Sequence, residues 1–130
     1  MSLNDPLAAT LSKIENAERQ SKKECNMPVY SKMILGVLNV MKDNGYVGDI
    51  EEREGTRVKS YKINLLGRIN RCNAIKPRYA VTLNEFEKFE KRYLPAKDFG
   101  IIIISTSKGL MTHTEAKKNN LGGRLIAFCY

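Results

Sequence analysis

The sequence predicts an α+β fold of two small lobes. The N-terminal lobe, 1–76, is arranged helix-strand-helix-strand-strand, and the C-terminal lobe, 77–130, has a mixed sheet with short helices. Amphipathic helical patterns alternate with short strand-like runs along the chain. A length of 130 residues suits one ordinary domain or two very small lobes and excludes a large multidomain enzyme. Lys76-Pro77 interrupts a strand-like run near the middle, and we place the boundary there.

Both predicted helices of the first lobe have an apolar face at helical spacing. The first covers 5–20, where Leu7, Leu11 and Ile14 recur at intervals of four and three. The second covers 31–44 and has a broader apolar face. That face consists of Ile34, Leu35, Val37, Leu38 and Met41. The candidate caps and stop signals are Asn4, Asp5, Pro6, Ser31 and Asn44-Gly45.

Extended segments complete the first lobe. The segment before the second helix is expected to be extended because Pro28 disfavours helix at the residue preceding it. A charged turn, 51–55, separates two of the later strands. The predicted extended segments are 25–29, 46–50, 57–66 and 69–75.

The second lobe alternates short strands with short helices. Its most distinct strand is 101–104, a β-branched run that follows Gly100 and is expected to be buried. Thr112 and Glu115 have the spacing of a capping box at the start of a short helix. The other predicted elements are an extended piece at 79–82, a helix at 83–90 ended by Pro95, a polar turn at 105–109, the short helix at 113–119 and a last strand at 124–130.

The charge of the chain points to a polyanionic partner. Lys and Arg number 22 against 14 Asp and Glu, which gives a net charge of +8. Residues 55–80 hold seven basic side chains and no acidic one. Like charges repel across strands, so a one-signed strip suits a nucleic acid, although a solvated sheet face is the alternative. The seven are Arg57, Lys59, Lys62, Arg68, Arg71, Lys76 and Arg78.

The cysteines and the hydropathy pattern predict a soluble protein of the reducing cytoplasm. Cys25, Cys72 and Cys129 are odd in number and far apart, which argues against a disulfide framework or a zinc site. The chain has no signal-peptide pattern, and its longest aliphatic run is 101–104. We therefore predict no metal, no cofactor and no membrane partner.

The most unusual tract is Ser105-Thr106-Ser107-Lys108-Gly109, three hydroxyls that leave a buried strand at a glycine turn. Hydroxyls donate and accept hydrogen bonds, so they suit base edges and the ribose 2′-OH. Lys108 supplies a cation for a phosphate, and Gly109 lets a nucleic-acid backbone approach. The alternative is that these residues simply make a turn.

Enzymatic interpretations of the same tract are weak. Ser105 and Lys108 match the Ser-x-x-Lys motif of an acyl-enzyme hydrolase, but its companion motifs are absent and the chain is too short. Lys108-Gly109 lacks the order of a phosphate-binding loop. His113 is the only histidine, is expected in a helix without a special role, and has no acid placed beside it by the sequence.

The tyrosines are isolated from one another in the sequence and lack the paired aromatic signature of an RNA-recognition sheet. We expect burial for most of them, with stacking on unpaired bases as the alternative. They are Tyr30, Tyr46, Tyr61, Tyr79, Tyr93 and Tyr130.

Nearly the whole chain resembles the small-subunit ribosomal protein S8 family. The C-terminal motif is long and specific, and Leu94–Gly100 and Phe128–Tyr130 resemble the archaeal and eukaryotic branch. The matching segments are Ile103–Met111, Glu115-Ala116, Leu121–Gly123, Asp5–Ala8, Leu11, Ile14, Met27-Pro28 and Ser31-Lys32.

The resemblance implies a two-lobed, non-enzymatic protein that binds an irregular helix in the central domain of small-subunit rRNA early in assembly. The C-terminal lobe would grip the minor groove, and the first lobe would add secondary contacts. Many bacterial members have an acid where this chain has Arg124, so the role of that acid is not carried over, while an arginine suits a phosphate. The implied RNA-binding residues are Ser105, Thr106, Ser107, Lys108, Gly122, Gly123, Arg124, Ser31 and Lys32.

The expected function is thus that of a structural constituent of the small subunit, located in cytoplasmic ribosomes. Neighbouring ribosomal proteins are expected partners, and its own messenger RNA is a further candidate, as for some bacterial members. The rival hypotheses are a basic protein-interaction module and the Ser-Lys hydrolase.

Overall fold

The structure is a computed structural model that describes residues 6–28, 31–53, 60–96 and 99–130. The chain divides into two compact units, Met1–Cys72 and Asn73–Tyr130. The expectation that a domain boundary lies at 76 stays a prediction.

The N-terminal unit packs two helices with a three-stranded antiparallel sheet. Its elements are α1 (Pro6–Arg19), β1 (Glu24–Pro28), α2 (Lys32–Asp43), β2 (Val47–Arg53) and β3 (Ser60–Leu65). The strand order is β1-β3-β2, so β3 is central and pairs antiparallel with both neighbours. This order of elements is the one predicted for the first lobe.

The apolar faces predicted for both helices are buried. In α1 the buried residues include Leu7, Leu11 and Ile14. Ser31 is the N-cap of α2, and its Oγ accepts a hydrogen bond from the backbone N–H of Ile34 at 3.3 Å. Helical periodicity and capping chemistry were therefore sufficient to place these helices. The candidate caps Asn4 and Asp5 lie outside the described residues.

Two predictions for the first lobe differ from the structure. The extended segment expected at 69–75 is a strand only at Cys72–Ala74. β2 continues through Glu51, Glu52 and Arg53, where we expected a charged turn to begin. These residues pair with β3, with Glu51 opposite Lys62. β2 is an edge strand, so its exposed side chains carry charge and give no alternating apolar signal.

The C-terminal unit is built around the paired central strands of one sheet. Its elements are β4 (Cys72–Ala74, which begins at the boundary), β5 (Ala80–Val81), a 3₁₀ turn (Leu83–Glu85), α3 (Phe86–Tyr93), β6 (Ile101–Thr106), β7 (Gly109–Thr112), α4 (His113–Lys118) and β8 (Gly123–Cys129). The strand order is β4-β8-β6-β7, and β5 also pairs with β8. The α+β class is confirmed. The pairs β5·β8, β6·β7 and β6·β8 are antiparallel, where we had expected a mixed sheet.

The core of this unit lies between the sheet and the helices α3 and α4. Ile101–Ile104 are all buried, as the aliphatic run predicted. β7 was missed, because Gly109–Thr112 is too short and mixed in polarity to show a strand pattern. The core cluster consists of Ile75, Val81, Phe86, Phe89, Leu94, Ile102, Ile104, Met111, Ala116 and Leu125.

His113 has a structural role that the sequence did not suggest. It is only 2% exposed, and its Nδ1 accepts a hydrogen bond from the backbone N–H of Ile102 at 3.1 Å. Its Nε2 lies 3.6 Å from Oε1 of Glu90, which is also buried and contacts Lys117 Nζ. The tertiary fold thus places an acid beside this histidine, contrary to our expectation. Thr112 is the N-cap of α4, the helix that begins at His113, as predicted, since its Oγ1 accepts a hydrogen bond from the Glu115 N–H.

Candidate nucleic-acid interface

The hydroxyl tract forms the end of the β6–β7 hairpin. Ser105 pairs with Leu110 and Thr106 pairs with Gly109, so only Ser107 and Lys108 form the turn. The predicted five-residue polar turn is therefore too long, because its first two residues belong to β6. Gly109 has a φ of +108°, a backbone conformation that residues other than glycine rarely adopt.

Thr106 fixes the shape of this turn through its hydroxyl. Its Oγ1 donates to the Gly109 carbonyl at 2.9 Å and accepts from the Lys108 backbone N–H at 3.1 Å. The first bond spans the two-residue turn, and the second holds Lys108, a residue of the turn, to the end of β6. The sequence presents three consecutive hydroxyls as candidates for RNA binding, but in the structure the Thr106 hydroxyl is engaged within the protein.

Ser107 and Lys108 present their side chains to solvent at the tip of the hairpin. Across the described part of the chain, neither the Ser107 hydroxyl nor the Lys108 ammonium makes a hydrogen bond or an ion pair. A hydroxyl and a cation held on a short, bonded turn lose little freedom when they bind a partner.

The glycine pair, Gly122 and Gly123, lies where neighbouring segments pack too closely for a larger residue. A Cβ at Gly123 would overlap the Ser105 carbonyl oxygen, and a Cβ at Gly122 would lie 2.7 Å from the Val81 carbonyl oxygen. Both positions therefore exclude any side chain. The packing at Gly123 brings the start of β8 against the end of β6, next to the hydroxyl tract, whereas the packing at Gly122 is against β5.

Arg124 adds a second cation to this end of the sheet. It pairs directly with Ser105 across β6 and β8, and opposite residues in such a pair share one face of the sheet. Its side chain is exposed. The fold thus brings Ser105, Lys108 and Arg124 together with the glycine pair, although they are separated in the sequence.

Ser31 and Lys32 belong to the N-terminal unit, and both are exposed. The Ser31 hydroxyl already accepts the capping hydrogen bond of α2, so its local role is structural. Lys32 is the first residue of α2.

The basic strip of the sequence is partly balanced by acids from other segments. Lys62 Nζ lies 3.0 Å from Glu24 Oε2, and Arg71 Nε lies 4.0 Å from Glu15 Oε1. Arg57 and Lys59 lie outside the described residues. Residues 55–80 contain only basic charges in the sequence, but the fold places an acidic side chain from another segment beside Lys62 and beside Arg71.

The rings missed by the sequence analysis form a connected row in the C-terminal unit. Tyr79, Tyr93 and Tyr130 are half-buried there and contact phenylalanine rings, whereas we expected isolated, buried tyrosines. A local signal existed, since Phe89 and Tyr93 are four apart on a helix, and Phe128 and Tyr130 are two apart at the end of β8 and just after it.

Within residues 6–28, 31–53, 60–96 and 99–130, no three His, Cys, Asp or Glu side chains cluster closely enough to hold a metal ion. No helix in that part of the chain has both the length and the apolar character needed to cross a membrane. Cys25, Cys72 and Cys129 are buried and form no disulfide.

Comparison with known families places this two-unit α+β chain among the ribosomal proteins. The family model described as Ribosomal protein S8 matches residues 5–130. The chain therefore belongs to the ribosomal protein S8 family. It is similar to the small ribosomal subunit protein uS8 of Methanococcoides burtonii, with 51% identity over 130 residues that cover 100% of both chains. That relative is archaeal, in keeping with the branch that the sequence resembles.

Proposed function

We propose that this protein is a structural constituent of the small ribosomal subunit that binds an irregular helix in the central domain of its rRNA. In this proposal it binds through the minor groove, without catalysis, and assists assembly in the cytoplasm. Family membership and the name of the archaeal relative support the subunit assignment. Neighbouring ribosomal proteins are proposed partners, and its own messenger RNA is a second candidate RNA.

The observation that carries the RNA site is the meeting of the β6–β7 turn with the start of β8. Ser107 offers a solvent-exposed hydroxyl, and Lys108 and Arg124 offer exposed cations at the same end of one sheet. Cations bind phosphates and fix position, whereas a hydroxyl can read a base edge or a 2′-OH. The arrangement therefore supplies both kinds of contact from a rigid support.

A minor-groove site suits a tip of this size and chemistry. In an A-form helix the major groove is deep and narrow, while the minor groove is wide and shallow and displays the 2′-hydroxyls. An irregular helix also exposes base edges that a regular duplex hides. A two-residue turn with one hydroxyl and one cation can approach such a surface closely.

The nine candidate residues take different parts in this proposal. Ser107 and Ser105 contact the RNA by hydrogen bonds, and Lys108 and Arg124 bind phosphates. Thr106 positions the turn. Gly123 lets β8 approach β6, Gly122 lets the chain approach β5, and Ser31 and Lys32 make secondary contacts from the N-terminal unit.

The hydrolase alternative gains no support from the fold. In a Ser-x-x-Lys enzyme the lysine acts on the serine hydroxyl. Within the described residues the Lys108 side chain is exposed and makes no hydrogen bond, to Ser105 or to any other group.

The direct test is Ser107→Ala measured against a fragment of the central-domain helix. Loss of the hydrogen bond leaves an RNA group unpaired, so we expect binding to weaken by about 1–3 kcal/mol. Ser12→Ala, an exposed serine on α1, is the matched control and should bind as the wild type does. Equal affinity of Ser107→Ala and wild type for the helix would contradict the proposed site.

The cation at the turn has a separate signature. Lys108→Gln should reduce the slope of log affinity against log salt concentration by about one, because one phosphate contact is lost. Chemical footprinting of the small-subunit rRNA should show protection at the same helix. A protein-interaction module would instead show no preference for that helix over a regular duplex of equal length.

A further inference from the structure

Six aromatic rings form a continuous row on the C-terminal unit. They come from four separate segments: the stretch before β5, the helix α3, the residue before Gly100 and the end of β8. The centroid distances along the row are 6.4 Å for Phe99–Tyr130, 6.1 Å for Tyr130–Phe128, 5.6 Å for Phe128–Tyr93, 6.5 Å for Tyr93–Phe89 and 5.7 Å for Phe89–Tyr79.

The row is too exposed to serve only as core. Phe89 is buried, but Tyr93, Phe128 and Tyr130 are half-buried, and Phe99 is 49% exposed. The half-buried rings Tyr93, Phe128 and Tyr130 pack on the core cluster of the unit, and Phe99 packs against Tyr130. Rings that are anchored on one side and open on the other are stiff platforms, since packing has already fixed their rotamers.

Two cations lie over these rings. The Arg92 guanidinium carbon is 5.7 Å from the Tyr79 centroid and 5.6 Å from the Tyr93 centroid. Lys88 Nζ is 5.7 Å from the Phe89 centroid. Throughout the described ranges, neither Lys88 nor Arg92 is in an ion pair.

Two acids described in the same region, Glu85 and Glu90, are engaged with other groups. The Glu85 carboxylate accepts from the backbone and the hydroxyl of Thr82. Glu90 is buried against His113 and Lys117. Glu87 lines a pocket of about 360 Å³, together with Glu90, Lys91, Leu94, Pro95 and Ala96. Among the described residues, the charged groups that lie over the rings are the cations Lys88 and Arg92.

We propose that this row is a second RNA-binding surface, which takes an unpaired strand by base stacking. Nucleobases stack on aromatic side chains regardless of sequence, and neighbouring cations bind the phosphates. The positive charge bordering the rings favours an anionic strand over a neutral apolar protein segment. The row lies at the Ile101 end of β6, since Phe128 pairs with Ile102 and Tyr130 contacts Gly100. It is thus separate from the hairpin turn at the other end, and it does not depend on the proposed helix site.

The test uses the full chain and a single-stranded oligouridine of twelve nucleotides. The sequence contains no tryptophan, so the emission of its tyrosines can be followed directly. Stacking on the row should quench this emission in the wild type. Phe99→Ala should weaken oligouridine binding by about fivefold or more, as expected for loss of one stacking ring.

Matched variants separate stacking from other causes. Phe99→Leu keeps an apolar side chain without a ring, so it should lose as much affinity as Phe99→Ala. Arg92→Gln should lower the salt slope of binding by about 0.7, the value for one cation on a single strand. Leu66→Ala, which removes a side chain of the same 49% exposure in the N-terminal unit, should bind as the wild type does.

The outcome that overturns the proposal is equally specific. Wild-type affinity in both Phe99 variants, whose folding is verified by circular dichroism and thermal melting, would exclude the row as a stacking platform. So would absence of oligouridine binding or of quenching in the wild type. Ser107→Ala should leave oligouridine binding unchanged, so failure of the helix site and failure of the row give different results.

Discussion

The two ends of β6 are built for different chemistry on a shared support. At one end Ser105 and Thr106 lead into an exposed turn, and at the other Ile101 pairs with Cys129 beside the aromatic row. Between them Ile101–Ile104 are all buried. The strand covers about 17 Å at roughly 3.3 Å per residue, so one buried segment holds two surfaces apart.

The difference lies in how each end is held in place. The polar end depends on backbone contacts, namely the Thr106 hydrogen bonds and the close approach of Gly123 to Ser105. The aromatic end depends on ring packing and on the hydrogen bond from Ile102 to His113. Changes at the two ends should therefore damage different properties, and the following predictions test this separation.

The largest effect is expected for Gly123→Ala. The added methyl would overlap the Ser105 carbonyl oxygen, so β8 must move away from β6. We expect a loss of about 3 kcal/mol in the free energy of unfolding, in the upper range for an overpacked site. Urea denaturation measures it, and binding to the rRNA helix should fall as well.

Gly67→Ala is the control for that substitution. Gly67 has a φ of +72°, but no atom lies within 4 Å of an added Cβ. It should cost about 1–2 kcal/mol, from backbone strain alone. Equal losses in the two variants would show that the contact with Ser105 does not restrict position 123.

His113→Leu should affect stability more than RNA binding. The substitution leaves the buried Ile102 N–H without its acceptor, which costs about 2 kcal/mol. His113→Asn places an amide oxygen near the position of Nδ1 and should recover part of this loss. Thermal melting compares the two, while affinity for the rRNA helix should stay close to wild type. If the affinity fell without a change in stability, a residue at one end of β6 would control RNA binding at the other end. The proposed separation of the two ends would then be wrong.

Thr106→Val should show the opposite balance. It removes both hydrogen bonds of the Thr106 hydroxyl, at a cost of about 1 kcal/mol because the site is exposed. Since Ser107 and Lys108 are then less fixed, we expect binding to the rRNA helix to weaken about fivefold, the equivalent of that energy. Thr106→Ser keeps the hydroxyl and should restore binding. If Ser fails to restore it, Thr106 does not act through its hydroxyl.

The smallest effect is expected for Glu18, which lies in the N-terminal unit. It serves as a reference for the predictions at Gly123, His113 and Thr106, which concern the two ends of β6. Burial raises the pKa of Glu18 above its ordinary value of 4.5, partly offset by the hydrogen bond that the Gly67 N–H donates to its carboxylate. The folded state then holds this proton more tightly than the unfolded state. The contribution of Glu18 to stability is therefore present below pH 4.5 and is lost as the pH rises through the folded-state pKa.

Glu18→Gln removes that titration and keeps an acceptor for Gly67. Urea denaturation from pH 4 upward should show the variant gaining stability relative to the wild type as the pH rises. A relative gain by the wild type would mean that the Gly67 hydrogen bond outweighs burial. RNA binding should not change.

Much of the fold followed from local pattern. The helices α1 and α2 were predicted because their apolar residues repeat at helical spacing, and the caps at Ser31 and Thr112 followed from side-chain chemistry. The strand at Ile101–Ile104 followed from its β-branched run. β7 and the end of β2 were missed because a short strand and a charged edge strand have no local apolar signal.

The candidate interface was predicted only in part. The hydroxyl tract was found because its residues are consecutive, and the resemblance to a family added the glycine pair and Arg124. The engagement of Thr106 and the row of aromatic rings were not predicted. Both depend on which segments pair and in which register, which no single window of sequence contains.

By itself, the sequence determined the amphipathic helices, their caps, the buried strand and the position of the polar tract, because each depends on neighbours within about four residues. The tertiary structure alone decided that Gly123 must lack a side chain, that Glu90 lies beside His113 and that the aromatic rings meet. Those outcomes arise from close packing between segments distant in the chain, where the space available to each group is set by its partners.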